Sequence, residues 1–254
     1  MKLLRSLAVT FSLYSALPMP MVAWNEESME YVFSLLPFVG LAEGASLALL
    51  LTLSQKLVLN PLLTAAAATA LPVLFTGGIH LDGFCDTFDA LGSHQSRERM
   101  LEIMKDPHIG AFGVMGCALY LLALFAAWGS LPLNGKTIFL AALIPVLSRS
   151  WVSLAALTQP NARGSGLLAQ FTNQASQGKN RVLVTMELLA IHAILAGFGL
   201  IGWGMALSAV SVWLWSLYRA RRKFGGLTGD LAGWLLCLME LLQVGFLCVF
   251  SGRV

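Results

Sequence analysis

Three aspartates recur at helical spacing in the stretch GGIHLDGFCDTFDALG, which covers residues 77–92. Asp82, Asp86 and Asp89 are separated by four and three residues, so a helix would place their carboxylates on one face within two turns. Like charges at this spacing destabilise a helix unless a cation or a bound partner compensates them, and the stretch contains no Lys or Arg. Mg²⁺ and Mn²⁺ prefer carboxylate oxygens and also accept phosphate oxygens as ligands. The stripe therefore predicts metal or phosphate chemistry.

Capping of a helix end is the simpler interpretation of these acids. Asp often caps or solvates a helix terminus, and one aspartate would be explained in that way. Three carboxylates on one stripe are harder to explain, and acidic residues at a membrane boundary are commonly functional. Spacing alone therefore favours a functional site over capping.

Charged residues in three other segments are candidates for the same site. Arg99 and Lys105 lie in RERMLEIMK, an amphipathic pattern that would equally anchor on anionic lipid. Arg163 lies in the glycine-bearing loop NARGSGL, where it either binds phosphate or is simply solvated. Asp230 ends the turn KFGGLTGD, which predicts either a helix N-cap or an anion-binding backbone beside a metal-binding carboxylate.

Arg149 stands apart because it lies within an apolar run. An arginine at the centre of a membrane helix costs roughly 2.5–3.5 kcal/mol on insertion scales, so its side chain should face the bundle and have an anionic partner. Two alternatives are open for that partner: a structural glutamate, Glu187 or Glu240, or a substrate phosphate.

The overall composition indicates a membrane protein. Of the 254 residues, 57% are hydrophobic and only 11% are charged, and the mean hydropathy is +0.75. Soluble domains usually have about 25% charged residues. Apolar stretches of about 20 residues recur along the chain, each long enough to cross a hydrocarbon core roughly 30 Å thick. We predict one all-α integral membrane domain over residues 1–254, with the lipid bilayer as a partner and no nucleic-acid binding.

The apolar stretches predict a bundle of about seven transmembrane helices. The predicted spans are 31–53, 62–79, 109–130, 137–157, 183–203, 205–219 and 231–250. A segment ending at Pro18 and Pro20 is predicted to form an N-terminal interfacial or re-entrant helix. The glycines at positions 197, 199, 202 and 204 mark either a tight turn between two spans or close packing within one.

Basic residues are distributed unequally over the two predicted membrane faces. Twelve Lys and Arg residues lie on one face, whereas Lys56, Lys136 and Arg253 lie on the other. The positive-inside rule makes the first face cytoplasmic. That face also carries the three long connections, so we expect the functional site there.

Five motifs occur in one order along nearly the whole chain. They are GGIHLDGFCDTFDALG, RERMLEIMKDPHIGAFGV, the pair Ser148-Arg149, ARGSGL at 162–167 and GGLTGDLAG at 225–233. In this combination the chain resembles the cobalamin synthase, or adenosylcobinamide-GDP ribazoletransferase, family. It departs from the family pattern at three positions: Ala16 replaces a frequent arginine, Ala90 a usual glycine, and Cys237 a residue that is often acidic.

The resemblance implies a Mg²⁺-dependent transferase of the bacterial cytoplasmic (inner) membrane, with an active site that faces the cytoplasm. Such an enzyme joins α-ribazole, or its 5′-phosphate, to adenosylcobinamide-GDP. The products are adenosylcobalamin, or its phosphate, and GMP, in the last step of assembling the nucleotide loop of vitamin B12. The resemblance leaves a homo-oligomer open.

The resemblance also assigns expected roles to residues in or beside the matching motifs. Asp82, Asp86 and Asp89 are expected to hold the metal, and one of them to accept the proton of the attacking hydroxyl. The expected substrate contacts are His80, Arg99, Lys105, Asp106, Arg149, Arg163 and Asp230. His80 would orient an acid or contact the substrate, unless it is only a residue at a helix end.

Two other functions fit parts of the sequence. A cation-coupled transporter would use charged residues within the spans as its pathway, namely Glu43, Arg149, Glu187 and Glu240. A CDP-alcohol-type phosphotransferase also uses an aspartate-rich membrane motif. Its D-G-x-x-A-R start is absent here, because Asp82-Gly83 is followed by Phe84-Cys85-Asp86.

Overall fold

The fold consists of helices joined by short connections. A computed structural model of the protein describes residues 2–251. Within that range the chain forms twelve helices and no strand, apart from an isolated β-bridge between Asn161 and Leu227, which confirms the all-α class. The helices are α1 Lys2–Tyr14, α2 Glu26–Met29, α3 Val32–Lys56, α4 Pro61–Thr76, α5 Ile79–Gly92, α6 Arg97–Ile103, α7 Ala111–Ser130, α8 Gly135–Thr158, α9 Leu167–Gln174, α10 Gln177–Ala196, α11 Gly199–Phe224 and α12 Gly229–Ser251.

Five described helices, α3, α7, α8, α11 and α12, are long and apolar enough to cross a membrane. The helices α4 and α5 form a sixth candidate that bends by 95°. The bend falls at Gly77 and Gly78, whose φ angles of 67° and 81° favour glycine. By length and composition the described residues thus contain five or six candidate spans, where about seven were predicted. α10 is not among them, and its 20 residues include Lys179, Arg181 and Glu187.

The glycine pattern near residue 200 serves both purposes that the sequence left open. The boundary between the two predicted spans falls at residues 197–198, between α10 and α11, and not at residue 204. Gly202 lies inside α11, where its Cα faces the backbone of Leu195 and leaves no room for a Cβ. Gly204 packs in the same way against the ring of Phe246. The glycine pattern therefore includes one turn between two helices and two positions of close packing within α11.

The centre of the bundle is the pair α3 and α8. Gly40 and Gly44 lie four residues apart on α3, and a Cβ on either would collide with the backbone of Pro145 or Ala142 on α8. Small residues at this spacing let membrane helices approach closely. The close approach buries polar side chains of both helices, including Glu43 of α3 and Arg149 of α8, which are 1% and 0% exposed.

The connections segregate to the two ends of the bundle. We use "loop face" for the end that carries residues 93–110, 159–176 and 225–228. At the other end, the Gln55 side chain donates to the carbonyl of Leu133 (2.9 Å), so the α3–α4 and α7–α8 connections meet. This alternation agrees with the one used to predict the orientation. Arg253, counted for the far face, lies outside the described residues.

The N-terminal segment forms the predicted helix, which ends at Tyr14, four residues before Pro18. One side of α1 is buried through Ser6, Val9 and Thr10. Ion pairs tie its polar side to the next segment, since Lys2 contacts Glu30 (3.3 Å) and Arg5 contacts Glu27 (3.2 Å). Hydrogen bonding from Lys179 holds the pKa of Glu30 below its usual range. α1 is therefore fixed beside the start of α3.

Candidate active site

The three aspartates lie on one helix, as predicted, but in different surroundings. α5 spans Ile79–Gly92 and carries all three. Asp82 is exposed, Asp86 is half-buried and Asp89 is buried. The stripe therefore runs from the surface into the protein, and its members do not share one environment.

Asp89 is bound to the first turn of α7. Its Oδ2 accepts the backbone N–H of Gly110 (2.7 Å), and its Oδ1 accepts that of Gly113 (2.8 Å). A Cβ at either glycine would collide with the Asp89 carboxylate. A carboxylate is stabilising at a helix N-terminus, where free N–H groups and the helix dipole present positive charge. Asp89 thus caps a helix that lies 21 residues further along the chain.

Close packing of α5 on α12 brings Asp230 beside the stripe. A Cβ on Gly83 would lie 2.7 Å from the Cα of Asp230, and one on Gly233 would lie 2.9 Å from the carbonyl oxygen of His80. Each helix therefore supplies one glycine to the contact. The N-cap predicted for Asp230 is made instead by Thr228, whose Oγ1 accepts the N–H of Leu231 (3.2 Å).

Arg163 reaches Asp230 because two connections on the loop face pair with each other. The N–H of Ala162 donates to the carbonyl of Leu227 (2.9 Å), and the N–H of Leu227 donates to that of Pro160 (2.8 Å). Arg163 then forms an ion pair with Asp230 (2.9 Å). Its guanidinium also donates to the carbonyl of Met104 (3.2 Å), which joins the third connection to the site.

Negative charge is in excess in this cluster, which we call the acid cluster: Asp82, Asp86, Asp230 and Arg163. Asp86 interacts electrostatically with the other three, and Asp230 interacts with both Asp82 and Arg163. Three carboxylates thus face one guanidinium. Such an excess favours binding of a cation, which reduces the mutual repulsion.

A cavity of about 380 Å³ opens beside the acid cluster. Asp82, Arg163 and Asp230 line one end, together with Asn161 and Thr228. The rest of the wall is mainly apolar and comes from α1, α3, α5, α8, α9 and α12. His80, which is 9% exposed, also lines the cavity. Four of the residues predicted from the sequence, His80, Asp82, Arg163 and Asp230, therefore line one cavity.

Three predicted substrate contacts lie elsewhere on the loop face. Arg99 pairs with Glu102 (2.8 Å), and both side chains are 62% exposed. Lys105 and Asp106 are exposed and do not line the cavity. Hydrogen bonds from the backbone and the ring of His108 hold the pKa of Asp106 below its usual range. The structure does not bring these three side chains to the acid cluster.

Arg149 belongs to a second cluster, which is buried. Its guanidinium pairs with Glu43 and with Glu240 (3.1 Å), and Ser148 also donates to Glu240 (2.8 Å). Of the two glutamate partners predicted for Arg149, Glu240 is confirmed, and Glu187 is not its partner. We call Glu43, Arg149 and Glu240 the buried triad. Arg149 is 0% exposed and does not line the 380 Å³ cavity, so contact with a phosphate would require these pairs to open.

Within the described residues, no three His, Cys, Asp or Glu side chains converge as a set that could hold a metal ion. The three aspartates of α5 therefore do not form a complete protein cage. Mg²⁺ does not require one, since it is usually bound through one or two carboxylates and substrate phosphates, with water in the other positions. The exposed Asp82 and the half-buried Asp86 fit that mode of binding.

The family positions at which the chain departs have ordinary structural roles. Ala16 is exposed, and its N–H donates to the carbonyl of Phe75 (2.7 Å). Ala90 is 0% exposed in the core. Cys237 is buried beside Tyr120 and Glu240, where a carboxylate would add a further negative charge to the buried triad.

Several lining residues were not predicted from the sequence. Asn161 shapes the loop, because its Oδ1 accepts the N–H groups of Arg163 (2.9 Å) and Gly164 (2.8 Å). An Asn shortly before a glycine is a turn signal that could have identified it. Tyr14 and Ser153 have no comparable signal in the sequence. Tyr14 stacks on His80, with ring centres 6.0 Å apart.

Fold and site together define an integral membrane protein in which a cavity with an acid cluster opens at one end of the helix bundle. The sequence model of the cobalamin-5-phosphate synthase family matches residues 6–250, so the chain belongs to that family. No solved structure matches the chain.

Curated relatives cover almost the whole chain. One from Lachnoclostridium phytofermentans is 38% identical over 95% of this chain and 92% of its own length. One from Desulfitobacterium hafniense is 38% identical over 93% and 92%, and one from Clostridium perfringens is 31% identical over 93% and 94%. Each of these relatives is named adenosylcobinamide-GDP ribazoletransferase.

Proposed function

We propose that this protein is an adenosylcobinamide-GDP ribazoletransferase that acts at the cytoplasmic side of the bacterial inner membrane. It joins α-ribazole, or its 5′-phosphate, to adenosylcobinamide-GDP and releases GMP. The observation that carries the proposal is the acid cluster at the mouth of the 380 Å³ cavity, in a chain whose relatives bear this name. A diphosphate substrate needs charge neutralisation of the kind this cluster can organise.

The reaction is an in-line displacement at phosphorus. A free ribose hydroxyl of the nucleoside, other than the 5′-hydroxyl that is blocked in the 5′-phosphate substrate, attacks the phosphorus that carries the cobinamide arm; the bond from that phosphorus to the GMP oxygen breaks, and GMP leaves with the bonding electron pair. The hydroxyl proton passes to a carboxylate, Asp82 or Asp86, and then to water. Transfers of this kind depend on positioning and on stabilising the charge of the leaving oxygens.

Mg²⁺ is the proposed cofactor. Asp82 and Asp86 would hold it and the substrate phosphates would complete its ligands, and the ion when bound would neutralise charge on the diphosphate. Arg163 would donate to a phosphate oxygen; in support, its side chain is 17% exposed and borders the cavity. Asp89 is left out of this narrower ligand set, because both of its oxygens already accept backbone N–H groups.

The test is product analysis with purified protein in detergent or in proteoliposomes. Incubation with adenosylcobinamide-GDP, α-ribazole and Mg²⁺ should give adenosylcobalamin and one GMP for each product molecule. Omission of Mg²⁺, with a chelator present, should stop GMP release, and added Mg²⁺ should restore it. Movement of an unchanged substrate across the proteoliposome membrane without GMP release would instead indicate the transporter.

A further inference from the structure

The lining of the 380 Å³ cavity divides by exposure into a mainly buried part, which we call the inner part, and a more exposed part at the acid cluster, which we call the mouth. The inner part is lined by apolar side chains from four helices: Leu13, Phe33, Leu36, Val152, Leu168 and Phe171. Ala156 also lines it, and its small side chain leaves space there. Phe33 and Phe171 are each 2% exposed, so these aromatic walls are fixed by packing. An apolar compartment thus adjoins the acid cluster.

Two buried polar side chains that line the cavity contain atoms without a hydrogen-bond partner. Ser153 is 0% exposed, and its Oγ has none among the described residues. His80 is 9% exposed, and its Nε2 has none either. A buried polar group without a partner costs about 1–3 kcal/mol, and a ligand or water bound at the cavity wall would remove that cost. Ser153 lies one helical turn from Arg149, whose charge is already compensated by its glutamates.

Resting on the proposed function, we infer that this inner compartment binds the aromatic base of the nucleoside substrate, with Ser153 and His80 as its polar contacts. The base of α-ribazole is a flat, apolar bicycle whose free ring nitrogen accepts a hydrogen bond, and the Ser153 hydroxyl can donate one. The ribose then lies towards the mouth, with its attacking hydroxyl at the acid cluster.

The size of the cavity assigns the two substrates to different places. Small-molecule pockets have volumes of roughly 300–1,000 Å³, and this cavity lies near the lower limit. A nucleoside matches that size, whereas a corrin ring with its side chains does not. The corrinoid therefore stays outside, and only its diphosphate arm reaches Asp82 and Arg163.

The compartment also predicts selectivity between bases. It offers two polar atoms and otherwise apolar walls, so a purine base, with several ring nitrogens and an exocyclic amine, presents more polar atoms than the compartment can pair. A site that leaves a buried polar group unpaired discriminates strongly against the ligand concerned. Ribosides of benzimidazole-type bases should therefore be preferred over ribosides of amino-substituted purines.

The test is to fill the inner compartment with a larger side chain and to measure substrate binding. Ala156→Leu places a larger side chain in the inner wall, and Ala190→Leu makes the same change on an exposed face of α10 as the matched control. Binding of α-ribazole to the protein without the second substrate is measured by titration calorimetry, and the KM for each substrate is measured from GMP release. For Ala156→Leu we expect the Kd and KM for α-ribazole to rise at least about tenfold, the KM for adenosylcobinamide-GDP to stay within about twofold, and Ala190→Leu to match wild type.

Three results would overturn the inference. These are an unchanged α-ribazole affinity in Ala156→Leu, a selective loss of affinity for adenosylcobinamide-GDP, and an equal loss in Ala190→Leu. If Ala156→Leu does not fold, Ser153→Ala decides: the Kd for α-ribazole should rise roughly fivefold to tenfold at an unchanged Tm, and an unchanged Kd refutes the assignment. Failure of the proposed function is distinct, because wild type itself would then release no GMP.

Discussion

The acid cluster and the buried triad treat charge in opposite ways. In the buried triad one guanidinium serves two carboxylates, and the side chains of Arg149, Glu43 and Glu240 are only 1%, 1% and 8% exposed. The acid cluster has one guanidinium and three carboxylates, of which only Asp230 forms an ion pair with Arg163, and these two paired side chains are 17% and 25% exposed. Both clusters have more acid than base, but only the second can recruit a ligand from water.

Burial explains this difference. A charge without a partner in the interior is strongly destabilising, so the triad has to be compensated by the protein itself. At a membrane boundary, water and ions screen the same excess, and an uncompensated carboxylate is tolerated. A charged residue in a span is therefore not a sign of function by itself. A charge excess that remains open to solvent is the better indicator.

The largest effect should come from breaking the acid cluster. Asp82→Asn removes a charge but keeps the shape of the side chain, so the protein should lose a metal ligand and no packing. We expect kcat for GMP release to fall at least about 100-fold, with an unchanged Tm in detergent, because charge stabilisation of this kind typically contributes 10²–10³ in rate. Asp86→Asn should behave in the same way.

The control for these two variants is Glu26→Gln, which makes the same acid-to-amide change at an exposed residue of α2. It should keep the wild-type rate. Full activity of Asp82→Asn at saturating Mg²⁺ would show that Asp82 is not a metal ligand. The acid cluster would then no longer be supported as the functional site.

The buried triad should respond in stability. Arg149→Met leaves Glu43 and Glu240 buried without a cation, and loss of one partner of a buried ion pair costs about 3–5 kcal/mol. Unfolding by denaturant in detergent measures this loss. Adding Glu43→Gln and Glu240→Gln to Arg149→Met should recover part of it, because the variant with all three changes contains no uncompensated charge.

An opposite outcome would change the role of the triad. If Arg149→Met kept its stability but lost α-ribazole transfer, Arg149 would contact the substrate, as the sequence alone left open. If the glutamate variants altered proton or cation flux in proteoliposomes, the triad would belong to a transport pathway.

The sequence predicted those features that follow from local patterns. The 4 and 3 spacing of the aspartates predicted their common helix face, and the long apolar runs predicted most of the spans. Features that depend on distant partners could not be predicted. Glu43 lies 106 residues from Arg149 in the chain, and nothing near Arg149 indicates which acid it meets. The predicted span 183–203 includes only Glu187 of the charged residues of α10, whereas the helix itself begins at Gln177 and also carries Lys179 and Arg181.

Asp89 also depends on a distant partner, although it lies in the same motif as Asp82 and Asp86. Its residue type and spacing are those of Asp82 and Asp86, and so a uniform role was the natural prediction. Its surroundings differ because the first turn of α7 folds back onto α5, and the glycines at 110 and 113 make room for the carboxylate. Capping was the alternative considered for the whole stripe, and the hydrogen bonds support it for one member.

The smallest effect should therefore come from Asp89→Asn. The amide keeps one acceptor oxygen but turns an NH₂ group towards a backbone N–H, so the free energy of unfolding should fall by about 1–2 kcal/mol. At a temperature where the variant is folded, kcat should stay within about tenfold of wild type, far above that of Asp82→Asn. A variant with the wild-type Tm and no activity would instead return Asp89 to the metal site and make the stripe uniform. A variant that loses mainly stability thus identifies a helix cap, and a variant that loses mainly kcat identifies a metal ligand, although both residues lie on the same helix face.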